Sequence, residues 1–220
     1  MQTVTPGASH LEVTPIAYGT WQFGGDWESV DEQAAVAGLV REGLTRHVGV
    51  SNYSTDQITE FAAVLPAETV QPPYHLFRRD IEAGLLPYAQ AHHIGVLAYG
   101  PLAHGLLGGA ITEATTFGGD DWRSHNPAFT GPGFRRNLQV VAALGRFAAD
   151  RGATIAQLAV AWVLAYSAVQ VAIVGARTPH HLQESVGALD LAPSRDDLAE
   201  IDRIMAAAVP LGGPSPEGMT

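Results

Sequence analysis

This 220-residue sequence predicts an α/β fold of about five βα units, whose strands form a parallel sheet. Short β-branched runs alternate with longer amphipathic stretches, which is the pattern of strands connected by helices. One of these runs ends abruptly in polar residues, as a buried parallel strand does where it enters a loop. With 46% hydrophobic residues, the chain can bury a sizeable core as a single domain over residues 1–220.

Five short runs are predicted as strands because they are β-branched or apolar and are bounded by turn residues. They are residues 16–20, 47–51, 69–72, 95–99 and 169–174. Amphipathic stretches between and after these strands are predicted as helices. These cover residues 30–42, 55–64, 78–92, 134–151, 154–166, a stretch opening at Thr178, and 194–207.

Capping residues mark several helix ends. Thr154 is placed to cap one helix, and Thr178 followed by Pro179 opens another. Gly152 ends the long helix before Thr154, whereas Pro87 is expected to kink or split the helix predicted over 78–92.

Two segments fall outside this alternation. Residues 109–133 form a long loop rich in Gly, Thr, Asp and Pro, and loops of that length are usually functional lids or disordered. Residues 209–220 are rich in Gly and Pro and are predicted to be a mobile tail.

The strand over residues 47–51 runs into a polar end at Ser51 and Asn52. Their hydroxyl and amide groups offer hydrogen-bond donors and acceptors that suit a flat ligand carrying a carboxamide. Alternatively, Asn52 and Ser54 simply cap the helix that starts near Thr55. These residues alone leave both interpretations open.

Composition excludes several classes of function. The chain has no cysteine, so it has no disulfide, no thiolate nucleophile and no cysteine-based metal site. A net charge of -10 argues against nucleic acid, whose phosphates require clustered positive charge. No apolar run approaches the roughly 18 residues of a membrane span, and no leader-like run precedes His10. A cytoplasmic protein with a small-molecule partner is therefore expected.

Lysine is absent from the chain, because all 12 of its basic residues are arginines. Neither a Schiff base nor a general acid tuned by lysine is available to it.

Six motifs follow one another along the sequence. They are GTWQFGGDW, VREGLTRHVGVSNYS, VQPPYHLFRRD, GVLAYGPLAHGLLGG, DDWRSHNPAF and VGARTPHHLQESVGALDL. Together they resemble the aldo-keto reductase family over residues 11–205. The resemblance implies a TIM-type (β/α)8 barrel that binds NADP(H) at its C-terminal rim.

The same resemblance implies a set of cofactor-binding residues. Ser51, Asn52 and Gln71 match the residues on the nicotinamide carboxamide, and Tyr99 matches the aromatic residue stacked on its ring. The matches to the pyrophosphate loop and to the segment around the 2′-phosphate and adenine are Pro101, Leu102, Gly105, Leu106, Gly175, Ala176, Arg177, Thr178 and Glu184. Independently of family, a helix N-terminus with a nearby arginine suits an anion.

Compared with that family, about three βα units are missing after Asp31. They include the segment that carries the Asp, Tyr, Lys and His tetrad, and 220 residues is short of the roughly 250 typical of the barrel. We therefore expect an incomplete barrel, with about five of eight strands, in which the family's carbonyl reduction fails. Because five strands cannot close a normal barrel, a homodimer or higher homo-oligomer is expected to cover the open side.

The remaining candidates for acid–base catalysis are Tyr53, His75, His104 and Asp26. Trp21 and Trp27 are candidates for stacking on a substrate, and no metal site is predicted. Three functions stay open. The chain is an NADP(H)-linked protein of the reductase type, a non-redox enzyme (lyase, dehydratase, isomerase or cyclase) with a remodelled cavity, or a non-catalytic nucleotide-binding protein.

Overall fold

The computed structural model describes residues 3–8, 10–13, 15–18, 41–43, 47–176 and 178–212. The chain divides into two compact units, each assembled from three segments. Unit 1 consists of Met1–Pro73, Asp80–Tyr99 and Tyr166–Gly175, and unit 2 consists of Tyr74–Arg79, Gly100–Ala165 and Ala176–Thr220.

Unit 1 contains a five-stranded parallel sheet. Its strands are β1 (Ile16–Tyr18), β2 (Gly49–Ser51), β3 (Thr69–Gln71), β4 (Gly95–Tyr99) and β5 (Val169–Val174). They lie in the order β1-β5-β4-β3-β2, and every neighbouring pair is parallel. The predicted parallel sheet is confirmed, although β2 and β3 are shorter than predicted. Because β1 and β2 are the edges of the described sheet, the barrel is incomplete.

The two faces of this sheet differ in exposure, because successive residues of a strand point to opposite sides. One face carries the buried, apolar side chains of Val50, Val70, Val96, Ala98 and Ala172. The other face carries, besides the buried Val171, side chains that are exposed or half-buried, among them Ser51, Gln71, Leu97, Tyr99 and Ile173. Polar groups at the carboxyl ends of β2, β3 and β4 therefore remain accessible to a ligand.

The first helix described in full, α1 (Thr55–Ala62), begins with a capping box in which Ser54 is the cap. The Ser54 hydroxyl accepts a hydrogen bond from the Gln57 backbone N–H at 3.2 Å, and the Gln57 side chain accepts one from the Ser54 N–H at 2.8 Å. Ser54 thus supplies the cap, and Asn52 does not. The helix predicted over 30–42 lies outside the described residues apart from its end.

The helix predicted over 78–92, with Pro87 as its point of kinking or splitting, is divided at Gly84 instead. A 3-10 helix, Asp80–Ala83, is followed by α2 (Leu85–Ala91), with Gly84 between them at φ -134° and ψ -74°. Pro87 does not split the helix, because it lies in the first turn of α2, where a backbone N–H has no partner within the helix.

Unit 2 contains four α-helices among its described residues. They are α3 (Gly131–Ala149), α4 (Ile155–Leu164), α5 (Pro179–Val186) and α6 (Arg195–Met205). Thr154 caps α4 and Ser194 caps α6, each through a capping box, and Thr178 caps α5 through the His181 N–H. No helix among the described residues is long and apolar enough to cross a membrane.

The mobile tail predicted over residues 209–220 is wrong for residues 209–212. The Val209 N–H donates to Oδ1 of the fully buried Asn137 at 2.8 Å, and the Leu211 N–H donates to the Phe77 carbonyl at 2.9 Å. Leu211 is 1% exposed, so residues 209–212 are anchored to unit 2 by packing and by a buried amide. Residues 213–220 lie outside the described residues.

Candidate functional site

Four polar residues meet at the carboxyl ends of β2, β3 and β4 in unit 1, Gln71 through its backbone carbonyl. Ser51 pairs with Gln71 in register, and its hydroxyl donates to the Gln71 carbonyl at 3.1 Å. The Asn52 N–H donates to the same carbonyl at 3.2 Å, and the Tyr99 hydroxyl donates to Asn52 Oδ1 at 2.9 Å. The sequence-predicted residues for the nicotinamide end of a cofactor therefore form one hydrogen-bonded group, named here the strand-end group.

The backbone at Asn52 explains how this group is held in place. Asn52 has φ 59°, a left-handed conformation that asparagine tolerates better than most residues. The chain thereby turns sharply after β2, so that the Asn52 amide meets Tyr99 before Ser54 caps α1. Ser51 is exposed, and Asn52, Gln71 and Tyr99 are half-buried. A planar ligand can reach these side chains from solvent.

The loop after β4 lies in unit 2 and has an unusual backbone. Ala103, His104 and Gly105 have φ values of 49°, 55° and 94°, so three successive residues are left-handed. Leu102 and Gly105, from the predicted pyrophosphate loop, are half-buried. Pro101 and Leu106 are buried, so their side chains shape the loop and do not face solvent.

The predicted 2′-phosphate segment leads from β5 to the start of α5. Gly175 and the helix cap Thr178 are exposed, and Ala176 and Glu184 are half-buried. Arg177, the predicted anion-binding side chain, lies outside the described residues. What the structure places here is a capped helix N-terminus, whose backbone dipole favours negative charge.

Two of the predicted acid–base residues, His75 and His104, lie together in unit 2. Their rings are perpendicular, with centroids 6.1 Å apart, and the His104 ring also contacts the Trp122 ring edge-on at 4.7 Å. His75 is only 2% exposed. No sequence pattern indicates this contact, because it joins a segment following β3 to the loop following β4.

Both imidazoles are neutral at pH 7. Burial, with the neighbouring His104 and the Arg78 guanidinium, lowers the pKa of His75 from 6.5 to about 3. Burial, with the charges of Arg123 and Arg78, lowers the pKa of His104 to about 4. A neutral imidazole carries one N–H donor and one acceptor nitrogen.

The predicted lid, residues 109–133, is held by aromatic and ionic contacts within unit 2. It contains a 3-10 helix, Trp122–His125, before α3 begins at Gly131. Arg123 bonds to both carboxylate oxygens of Asp121, which lowers the pKa of that carboxyl, and its Nη1 donates to the His104 carbonyl at 3.1 Å. Phe129 packs edge-on against Trp122 and Phe117.

The other candidate residues are not part of this cluster. Tyr53 belongs to unit 1 and contacts Phe61 edge-on at a centroid distance of 6.1 Å. Asp26, Trp21 and Trp27 lie outside the described residues and stay predictions. Among the described residues there is no group of three or more His, Asp or Glu side chains that could hold a metal ion.

Sequence reasoning does not find a cavity of about 290 Å³ at the opposite ends of the strands in unit 1. Its walls are mainly apolar and include Leu11, Leu97 and Val171, and one side carries a hydrogen bond between His47 Nδ1 and Glu68 Oε2 at 2.7 Å. A histidine at the start of the strand predicted over 47–51, away from the carboxyl ends, is expected to be structural, and this contact fits that role.

Parallel strands with polar residues gathered at their carboxyl ends place the protein in the α/β class, in which ligands bind at that edge of the sheet. The chain belongs to the Aldo/keto reductase family, whose model matches residues 33–206.

Individual relatives support this assignment. The chain is 44% identical over 146 residues to the aldo-keto reductase YhdN of Bacillus subtilis (strain 168), covering 66% of this chain and 44% of the relative. It is 29% identical over 204 residues to the aldo-keto reductase yakc [NADP(+)] of Schizosaccharomyces pombe, covering 91% and 60%. The chain thus spans about half the length of the curated relatives it matches.

A solved structure gives the same assignment. The glycerol dehydrogenase AKR11B4 from Gluconobacter oxydans superposes with a TM-score of 0.77 at 35% identity. The match covers 84% of this chain and 58% of that one.

Proposed function

We propose that this chain binds NADP(H) with its strand-end group and has lost the ordinary carbonyl reduction of its family. The observation that carries the proposal is the hydrogen-bonded set of Ser51, Asn52, Gln71 and Tyr99 at the strand ends. It offers amide and hydroxyl groups beside an aromatic ring, which suits a flat ring that bears a carboxamide.

Two further observations support the choice of cofactor. The capped N-terminus of α5 follows β5 and suits a phosphate. The S. pombe relative carries NADP(+) in its name. The cofactor would supply a hydride, while the residues of this chain would bind and orient its nicotinamide ring.

The loss of carbonyl reduction follows from side-chain chemistry. In the family that the sequence resembles, protonation of the carbonyl oxygen depends on a tyrosine assisted by a lysine. This chain has no lysine. A tyrosine of ordinary pKa, near 10, is a poor acid at neutral pH. His75 cannot substitute for it, because its ring nitrogens are buried. We therefore expect cofactor binding without sustained reduction of aldehydes or ketones.

Titration with NADPH, followed by cofactor fluorescence, tests the proposal. Tyr99→Ala removes both the ring and the bond to Asn52, and is expected to weaken NADPH binding by about tenfold, which corresponds to roughly 1.4 kcal/mol. Tyr99→Phe keeps the ring and is expected to weaken it less.

Tyr88→Ala is the matched control, because Tyr88 stacks on His92 and bonds to Thr59 away from the strand ends. It should leave NADPH affinity unchanged. Absence of binding at millimolar NADPH would remove the proposal, and equal losses for the Tyr88 and Tyr99 variants would remove the assigned site. Sustained NADPH oxidation with a carbonyl panel would contradict the loss of reduction.

We also propose that the chain forms a homodimer or a higher homo-oligomer. In the described sheet, β1 and β2 each pair with a single strand, and such edges favour pairing with another chain. Light scattering coupled to gel filtration is expected to give at least twice the 23.2 kDa chain mass. A single 23.2 kDa species across a range of concentrations would contradict oligomer formation.

A further inference from the structure

Three buried polar side-chain atoms have no hydrogen-bond partner within the described part of the chain. They are Nδ1 and Nε2 of His75 and Oγ of Ser124. All three belong to segments of unit 2 that meet at His104: the His75 ring contacts its ring, and Arg123, next to Ser124, donates to its carbonyl. The two unsatisfied nitrogens of His75 therefore lie where its segment meets the loop after β4.

Such groups indicate a missing partner. A buried hydrogen-bond donor or acceptor that has lost its water and gained no other partner destabilises the folded state, and folded proteins rarely contain one. Both nitrogens of a single imidazole are in this condition, and His75 is 2% exposed. A ligand for His75 must accordingly be small and enclosed by the protein.

The geometry between the two rings fits one bridging atom. An end-on N–H···N hydrogen bond of about 2.9 Å brings two imidazole centroids to roughly 5 Å. The centroids of His75 and His104 are 6.1 Å apart, and their rings are perpendicular. Two hydrogen bonds through a single oxygen span this larger separation.

The charges around the site select the kind of ligand. The Arg78 guanidinium lies close enough to both rings, and the Arg123 guanidinium close enough to the His104 ring, to disfavour a further positive charge, which argues against a metal ion. Burial keeps both imidazoles neutral, so each offers one donor and one acceptor. A partner that both donates and accepts matches them, which is the chemistry of a water molecule or a hydroxyl group.

We propose that His75 and His104 form a polar binding site for one internal water molecule. This bridge ties the left-handed loop at Ala103–Gly108 to the segment Tyr74–Arg79 within unit 2. His75 acts as a positioning residue for that loop, by way of the water and the His104 ring. The water bridge lies within unit 2 and does not depend on NADP(H) binding.

NMR of the full chain with ¹⁵N-labelled histidine tests the site directly. The expected result is two neutral rings, each in one tautomer, with dipolar cross-peaks from the His75 ring protons to a long-lived water. Rings without such a water contact would overturn the proposal. Ring signals displaced by added Zn²⁺ would overturn it as well, in favour of a metal site.

Amide hydrogen exchange of residues 103–108 tests the positioning role. The exchange rate of this loop in His75→Leu should change in one direction if water bridges the rings and in the opposite direction if it does not. If water bridges the rings, His75→Leu leaves His104 and the water without a partner, and loop exchange is expected to speed up by about fivefold to tenfold. If the His75 nitrogens instead have no partner in the native protein, the leucine removes the cost of burying them. Loop exchange would then slow down, and this result would overturn the proposal.

His75→Gln is the conservative variant, because its amide can still bind the water, and it should recover part of the protection. His92→Leu is the matched control, because His92 is exposed and stacks on Tyr88 in unit 1. Equal exchange rates in the wild type, His75→Leu and His92→Leu would contradict the positioning role, even if NADPH binding were intact.

Discussion

Acidification from pH 7 to pH 4 is expected to destabilise the protein through His75 and His104. In the folded state, burial lowers the pKa of these residues to about 3 and about 4, against 6.5 for an unperturbed histidine. Between those values the unfolded chain binds more protons than the folded one, so the free energy of unfolding falls as the pH falls. The full contribution of the two histidines to the free energy of unfolding is present above pH 6.5. Each unit by which folding lowers a pKa corresponds to about 1.4 kcal/mol of this free energy.

The groups around the two imidazoles strengthen the effect. A proton on the His75 ring would be buried beside Arg78, and a proton on the His104 ring would be buried beside Arg123 and Arg78. The lowered pKa values of Asp121 and Asp197 stabilise the fold above their unfolded value of 3.8 and lose that effect only at lower pH. Loss of stability that begins below pH 6.5 therefore reports the histidines.

Urea unfolding at half-unit steps from pH 7.5 to 4.5 measures this dependence. The wild type should lose up to about 1.4 kcal/mol per pH unit for each histidine within the window. The double variant His75→Gln/His104→Gln should show a much flatter profile, whereas His92→Gln should follow the wild type. An equally steep profile in the double variant would assign the acid sensitivity to other groups.

The sheet can be predicted from the sequence because its signals are local. Each strand is a short apolar run bounded by turn residues, and the caps Thr154 and Thr178 each precede the helix that they begin. The predictions fail where distant contacts decide. The sequence predicts a helix over 78–92 that kinks or splits at Pro87, whereas the chain divides it at Gly84. It also predicts a mobile tail over residues 209–220, although Asn137 and Phe77 hold residues 209–212 in place.

The candidate site shows the same division. Ser51, Asn52, Gln71 and Tyr99 are predictable from motifs at strand ends, and parallel strands bring their carboxyl ends to one edge of a sheet. The sequence predicts His75 and His104 as candidates for acid–base catalysis, and the structure buries His75 with its ring against that of His104, which in turn contacts Trp122. No local pattern encodes the contact between the two histidines, because it joins segments that are distant in the sequence.

Gly7→Ala is expected to destabilise the protein by about 2 kcal/mol or more, through steric overlap and a strained backbone. Gly7 has φ 54°, and a Cβ built on it would lie 2.6 Å from the Glu68 carbonyl oxygen and 2.6 Å from the His93 carbonyl oxygen, and would overlap the Gly95 nitrogen. These are backbone atoms at the starts of β3 and β4, so they cannot move aside as a flexible side chain can.

Gly145→Ala is the matched control for this substitution. Gly145 lies inside α3, and a Cβ added to it would have no atom of another part of the fold within 4 Å, so the same chemical change should stabilise the helix by about 1 kcal/mol. Thermal unfolding of the two variants should therefore shift the midpoint in opposite directions. Equal midpoints for Gly7→Ala and the wild type would mean that the N-terminal turn is not packed on the sheet. A lower midpoint makes that turn, which also lines the 290 Å³ cavity through Pro6, an integral part of unit 1.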